Sequence, residues 1–549
     1  MQNILILGAG LMQKPAILSA RQLGFNTVVI DADKNAVCVP LADEFYQVDL
    51  KYREGILKLA AKLKDNSKGG LAGVFTAGTD FSASVSYVCE KLGLPSHSFI
   101  AAENASIKTQ MRQCFEKSGV PSPAFYRAGK EDISESLYEK IIQKMALPLV
   151  VKPVDNMGAR GCRMVRTKEE FLPAVKVAAE CSRTGYAIIE EYMDGPEFSI
   201  DALVYDGKFI VTGFAIRHIK YEPYFIEVGH TMPAVLDKKM HDELISVFAL
   251  GAKAEGLSCG AAKADIKYTS KGPMIGEIAG RLSGGYMSGW TYPYASDLNL
   301  TKQGLCIAAG LTPEELLEKA VPVDYVPSKL CEQLARPYEL YEVPCVRTSA
   351  ERAWMSIPGT VEYIENINDF TDQAVRDVLP RATVKTGGEV DFPRNNVEKC
   401  GNVIAVSQDR EIAIKAAEDA VSNTFITLKP CNKKTDDFLS CAHTQDEEGF
   451  PPFAFKPLTK EQLELLAKAE KIPADSSLLP LLPEFLKANP YDTLTDWNYN
   501  TIKTTVQKFD ILRPKHPELE QKAFWSALMR GGIQGIVYYS DSIKEAGAR

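Results

Sequence analysis

No apolar run in this 549-residue chain approaches the roughly 20 residues that a membrane-crossing helix needs, so no membrane partner is expected. Long runs of lysine and arginine are missing too. With 63 basic against 71 acidic residues the net charge is −8, the reverse of the clustered positive footprint that a polynucleotide backbone demands, and no nucleic-acid partner is expected. The 12 cysteines include no CxxC pair. Several, such as Cys89, Cys114, Cys259 and Cys306, sit in apolar segments where a reduced thiol acts as a small hydrophobe, which argues against a disulfide framework or a zinc site. Internal repeats and low-complexity tracts are absent, and the opening MQNILILGAG carries no basic leader, so a cytoplasmic location is the expectation.

What is present reads as an ordinary globular composition, 45% hydrophobic and 24% charged, in a chain too long for one core. Ile4 to Leu7, Gly8-Ala9-Gly10, a helical segment to Gly24 and Thr27 to Ile30 form a strand-turn-helix-strand unit. Gln13 stands where a dinucleotide fingerprint needs its third glycine, which favours a structural turn over NAD binding. Short β-rich runs dominate residues 145 to 310. Near Gly310, Thr312-Pro313-Glu314-Glu315 predicts a capped helix start. Ala353 to Ile364 and Ala382 to Phe392 look β-rich, and the last hundred residues look mainly helical, entered through a second capping box at Thr459 and Gln462.

The segment from Gly260 to Ile278 predicts a hairpin. With its turn centred on Lys271, Asp265 and Glu277 face each other across two strands, their Cβ atoms roughly 4.5 to 5.5 Å apart. Carboxylates opposed this closely repel unless a cation intervenes, and hard oxygen donors suit magnesium, which makes the pair candidate metal ligands. The plainer alternative is that Lys263 and Lys267 merely neutralise them in a solvated patch. Arg281 follows, leading into Ser283-Gly284-Gly285, a cation and exposed amides suited to a phosphoryl group. Upstream, Lys152 ends an apolar strand, and a loop bearing Gly158 and Gly161 comes next. Then Glu190-Glu191-Tyr192-Met193 runs from another apolar strand into a Gly-Pro turn and Glu197.

In this order the four segments resemble the ATP-grasp superfamily, over residues 1 to about 430. The resemblance implies an α/β (α+β) chain with a Rossmann-like pre-ATP-grasp domain at 1–100, a two-lobed ATP-grasp domain at 101–310, a β-rich carboxylase- or ligase-like domain at 311–430 and an accessory, mainly helical region at 431–549. It implies that Lys108 and Lys152 contact ATP phosphates under the loop from Asp155 to Gly161. Glu190, Glu191 and Met193 would face adenine, and Glu197 the ribose. Asp265 and Glu277 would hold Mg2+, with Mn2+ as an alternative, and Arg281 together with Lys152 would be catalytic. The family's Asn is offset or replaced within Glu277-Ile278-Ala279-Gly280-Arg281. With Gly280 in place of an Asn-like ligand, a ligand of the second magnesium is lost.

The implied activity is an ATP-dependent carbon–nitrogen ligase that activates a carboxylate as an acyl phosphate and couples it to an amine. Its partners would be those two small molecules and a second copy of the chain in a homodimer. Arg217 and His230 are expected to border the acceptor, with Ser283, Gly284 and Gly285 at the acyl group. Two other readings stand beside it: activation of bicarbonate in the manner of biotin carboxylases, and a non-catalytic ATP-binding regulatory protein.

Overall fold

The structure, a computed structural model, describes all residues except 66–68, 366–371, 442–448, 489 and 549. The fold is mixed α/β, as expected. The chain folds as two units, one of Met1–His218, His230–Ser349 and Val406–Arg410, the other of Ile219–Gly229, Ala350–Ala405 and Glu411–Arg549.

The first unit opens with β1 (Asn3–Leu7), β2 (Asn26–Asp31), β3 (Glu44–Gln47) and β4 (Leu71–Phe75), paired in parallel in the order β3-β2-β1-β4. Every residue of β1 and β4 is buried, which is why these strands read as unbroken apolar runs rather than alternating ones. Helices α1 (Lys14–Gln22), α2 (Arg53–Lys64) and α3 (Ser82–Leu92) complete this sheet's layers. Gln13 shows what replaced the third glycine. Its fully buried side chain donates through Nε2 to the carbonyl of Ala77 and accepts through Oε1 from the Ala77 amide, stitching the first turn to the chain after β4.

Two short helices, α4 (Phe99–Asn104) and α5 (Lys108–Ser118), lead to an antiparallel sheet of β5 (Phe125–Gly129), β6 (Leu149–Pro153), β7 (Arg163–Val165) and β8 (Tyr186–Glu191) in the order β5-β8-β6-β7. Helices α6 (Glu135–Ile142) and α7 (Lys168–Cys181) bury Leu137, Ile141, Phe171 and Val175 against Leu149, Val151 and Ile189. Next come β9 (Glu197–Tyr205), β10 (Lys208–Lys220), β11 (Ile226–Met232), β12 (Gly260–Thr269) and β13 (Gly272–Ala279), ordered β13-β12-β9-β10-β11. The apolar face of this sheet, with Phe198, Ile200, Ile266 and Ile278, packs on Leu244, Val247 and Phe248 of α8 (Lys238–Glu255).

The expected cap at Thr312 does not form. The helix Glu314–Lys319 starts directly after Pro313 with no side-chain cap, because Glu315 instead accepts from Gln303 Nε2 at 3.2 Å. In the second unit, the strands Gly359–Glu365 and Phe425–Leu428 pair antiparallel. Of the expected β-run 382–392 only Glu389–Val390 is extended. The helices Lys460–Lys468, Ile502–Leu512 and Gln521–Ala548 give the end of the chain its helical character. The first of them carries the expected Thr459–Gln462 capping box. Among the described residues no helix is long and apolar enough to cross a membrane.

Candidate active site

The β12–β13 hairpin pairs Thr269 with Gly272 and Ile266 with Ile275, so its turn is the two residues Ser270 and Lys271, centred half a residue earlier than the sequence suggested. That register alone would set Asp265 opposite Gly276. A β-bulge between Asp265 and Ile266 adds one residue to the facing strand and brings Glu277 opposite Asp265. Glycine suits the bulge because a Cβ on Gly276 would stand 3.1 Å from the Asp265 carbonyl oxygen and 3.4 Å from Met193 Cε, a close approach of the kind that small residues allow.

Both carboxylates are held ionised. Burial raises the pKa of Glu277, but Lys108 above all, then Lys263, Lys152 and Arg281, outweigh it and bring the group down to about 2. Burial likewise works against the charge on Asp265, where Arg217 and Lys263 prevail and hold its pKa below the usual range in spite of Glu277. The contacts match: Lys108 Nζ lies 3.5 Å from Glu277 Oε2 and Arg217 Nη1 3.1 Å from Asp265 Oδ2, the oxygen that also meets Lys263. Lys267, which the plainer alternative reading set beside this pair, donates to the Met193 carbonyl at 3.0 Å.

Asp265 Oδ1 is buried without a hydrogen-bond partner, a costly state that ligation of a cation would relieve. Two ionised, opposed oxygen donors fit magnesium or manganese. Among the described residues no three His, Cys, Asp or Glu side chains gather around one point, so the remaining ligands would have to be water and phosphate oxygens, the usual arrangement for magnesium at nucleotides.

Strand alternation also locates the missing family ligand. Ala279, two residues after Glu277 and paired with Lys263, shares the face of Glu277. Gly280 does not, since a Cβ there would meet Leu257, His97 and Ala105. The ligand position is therefore taken by Ala279, not by Gly280.

On the neighbouring β8, Glu190 is 2% exposed and gives one oxygen to Arg112 Nε at 2.8 Å and the other to Lys152 Nζ at 2.6 Å. Its pKa stays low because these two cations outweigh burial. Glu191 instead pairs with Lys271 of the hairpin turn at 2.7 Å. Lys108, buried, also donates to the carbonyl of Asn156 at 3.0 Å. This ties it to the glycine-bearing loop, whose base is fixed by Asp155 accepting from Ser182 Oγ, Arg183 N and Thr184 N at 2.7 to 3.0 Å. Gly158 and Gly161 both have φ of +69°, and a Cβ on Gly161 would strike Cys181 at 2.8 Å.

The structure gathers the candidate residues into three sets of ion pairs: Lys108 with Glu277, Lys152 and Arg112 with Glu190, and Arg217 with both Glu197 and Asp265. Arg217 Nη1 meets Glu197 Oε1 at 2.5 Å and Asp265 Oδ2 at 3.1 Å, which sets it among the carboxylates. His230 is fully buried in β11. Ser283 spends both its amide and its hydroxyl on Asp201 Oδ2, at 3.0 and 2.8 Å. Arg281 lines a cavity with Phe75, Thr76, Ser82, His97 and Ile307. Arg112 was not picked out from sequence, since a cation on a helix face carries no signal of what lies opposite.

Comparison with known proteins gives two domain matches. Residues 145–289 match the model of an ATP-grasp domain, and residues 353–429 that of the L-amino acid ligase C-terminal domain 2. The chain thus carries an ATP-grasp domain and a domain like the C-terminal one of L-amino acid ligases. Carnosine synthase 1 of Homo sapiens is 25% identical to this chain over 333 residues, 57% of this chain and 40% of the relative. Alanine–anticapsin ligase of Bacillus subtilis is 26% identical over 228 residues, 37% of this chain and 47% of the relative. The chain thus spans less than half the length of these two curated relatives. The crystal structure of an L-amino acid ligase from Bacillus licheniformis shares the fold, with a TM-score of 0.63 at 18% identity over 78% of this chain and 99% of that one. The relatives matched are ATP-grasp ligases, enzymes of a superfamily that generally uses ATP and magnesium.

Proposed function

We propose that the chain activates a small-molecule carboxylate as an acyl phosphate at the expense of ATP and passes the acyl group to the amine of an amino acid, releasing ADP and phosphate. One observation carries the reading: Asp265 and Glu277 oppose each other, both ionised, with the nucleotide-side Lys108 on one of them. In this reading the triphosphate lies along Lys108 and Lys152 beneath loop 155–161, with adenine near Glu191 and Met193 and the ribose near Glu197. Asp265 and Glu277 would hold magnesium, which would supply neutralising charge to the phosphate oxygens.

An oxygen of the substrate carboxylate attacks the γ-phosphorus, the bond to the bridging oxygen breaks, and ADP leaves with that electron pair. Lys108 and Lys152 hold the charge that gathers on the phosphate oxygens, and such fixed electrostatics carry most of phosphoryl-transfer catalysis. The amine nitrogen then adds to the acyl carbon while Arg281 holds the oxyanion, and phosphate departs as nitrogen loses its proton. Because Ser283 is committed to Asp201, the amides of Gly284 and Gly285 are the backbone donors left for that oxyanion. The match of residues 353–429 to an amino-acid-ligase domain supports ligation to an amine over the activation of bicarbonate.

A screen of carboxylate and amino-acid pairs, scoring phosphate, ADP and AMP, tests the proposal. ADP formed only when both substrates are present is the expected result. AMP as the product, or labelled bicarbonate fixed into the product, overturns it. The expected homodimer is read separately by light scattering.

A further inference from the structure

The hairpin face that carries Asp265 and Glu277 also carries Lys263, directly across from Ala279. The Lys263 ammonium contacts Asp265 Oδ2, and the two side chains are only 11% and 13% exposed, a setting in which a charge pair is far stronger than at the surface. Ala279 brings no ligand atom, so the place across from the absent ligand is filled by a fixed positive charge.

We infer that Lys263 stands in for a second divalent ion, so that the site takes one metal ion with its nucleotide. The inference rests on the nucleotide reading of the site. Charge balance supports it. The ion pairs around Glu190, Glu197, Asp265 and Glu277 draw on six lysine and arginine side chains against these four carboxylates. One divalent ion raises that surplus to about the four negative charges of an ionised triphosphate, and a second would overshoot. A lysine ammonium, compact and point-like, is suited to such a replacement.

The test counts manganese bound to the full chain, by electron paramagnetic resonance, during titration at saturating imido analogue of ATP. One Mn2+ per chain is expected. Two of similar affinity with the analogue bound overturn this inference and leave the nucleotide reading standing, whereas an analogue that does not bind overturns the nucleotide reading itself. In Lys263→Met, loss of the competing ammonium frees Asp265, so the single Mn2+ tightens on the order of 10-fold while ADP release slows on the order of 100-fold. Lys263→Arg keeps the wild-type affinity. Unchanged manganese affinity in the Met variant counts against the inference, and should that variant not fold, the wild-type count decides alone.

Discussion

Arg112 and Glu190 form a buried ion pair, Nε to Oε1 at 2.8 Å, with the two side chains 0% and 3% exposed. The same guanidinium donates through Nη2 to the carbonyl of Gly276 at 2.6 Å, the glycine that makes the bulge room. One arginine therefore holds the carboxylate that positions Lys152 and the strand irregularity that positions Glu277. Arg112→Met leaves Glu190 with a single cation in a dry environment. It is expected to cost about 3 to 5 kcal/mol in denaturant unfolding, and Glu190→Gln in the same background should recover part of the loss.

Glu277→Gln keeps shape and removes charge. Turnover should fall on the order of 100-fold or more, with the circular dichroism spectrum unchanged. The variant also changes the response to acid. A carboxyl held near 2 in the folded chain and near 4.3 when unfolded contributes stability that is complete above the higher value and lost as pH falls through the lower one. The wild type should lose thermal stability relative to the variant between about pH 4.5 and 2.

Asp201 titrates in the opposite sense. Burial outweighs its bonds from Ser283 and the charges of Lys263 and Arg281 and pushes it up to about 6. The folded chain then holds a proton that the unfolded chain has released, so stability falls as pH rises from about 4 to 6, by roughly 3 kcal/mol. Asp201→Asn should erase that decline, as read from melting temperatures of the two proteins at pH 4.5 and 7.

Gln13→Gly would complete the dinucleotide fingerprint, yet no NAD binding is expected. The change should instead destabilise the chain by about 1 to 3 kcal/mol, since it strips the Ala77 amide and carbonyl of their buried partner. Calorimetric titration with NAD and urea unfolding check the two halves.

Much of this site could be read from the residues because strands impose a period of two. The spacing of Asp265 and Glu277 announced a facing pair, and the apolar Ala264, Ile266 and Ile278 announced the other face, all of them buried. Long side chains were harder to place. The bonds of Arg217 to Glu197 and Asp265 and of Lys267 to the Met193 carbonyl were not legible, because such side chains reach several ångströms in any direction and their partners sit on segments that only the fold makes neighbours. Arg112 went unread for the same reason. The cap expected at Thr312 failed because a tertiary partner for Glu315 outweighed a local rule.

The bulge beside Asp265 also fixes a parity. Two strands joined by a two-residue connection pair residues an odd number of positions apart, yet Asp265 and Glu277 are separated by twelve. An even count across so short a connection demands one supernumerary residue. Removing or inserting a single position between the two acids would thus decide whether they still meet.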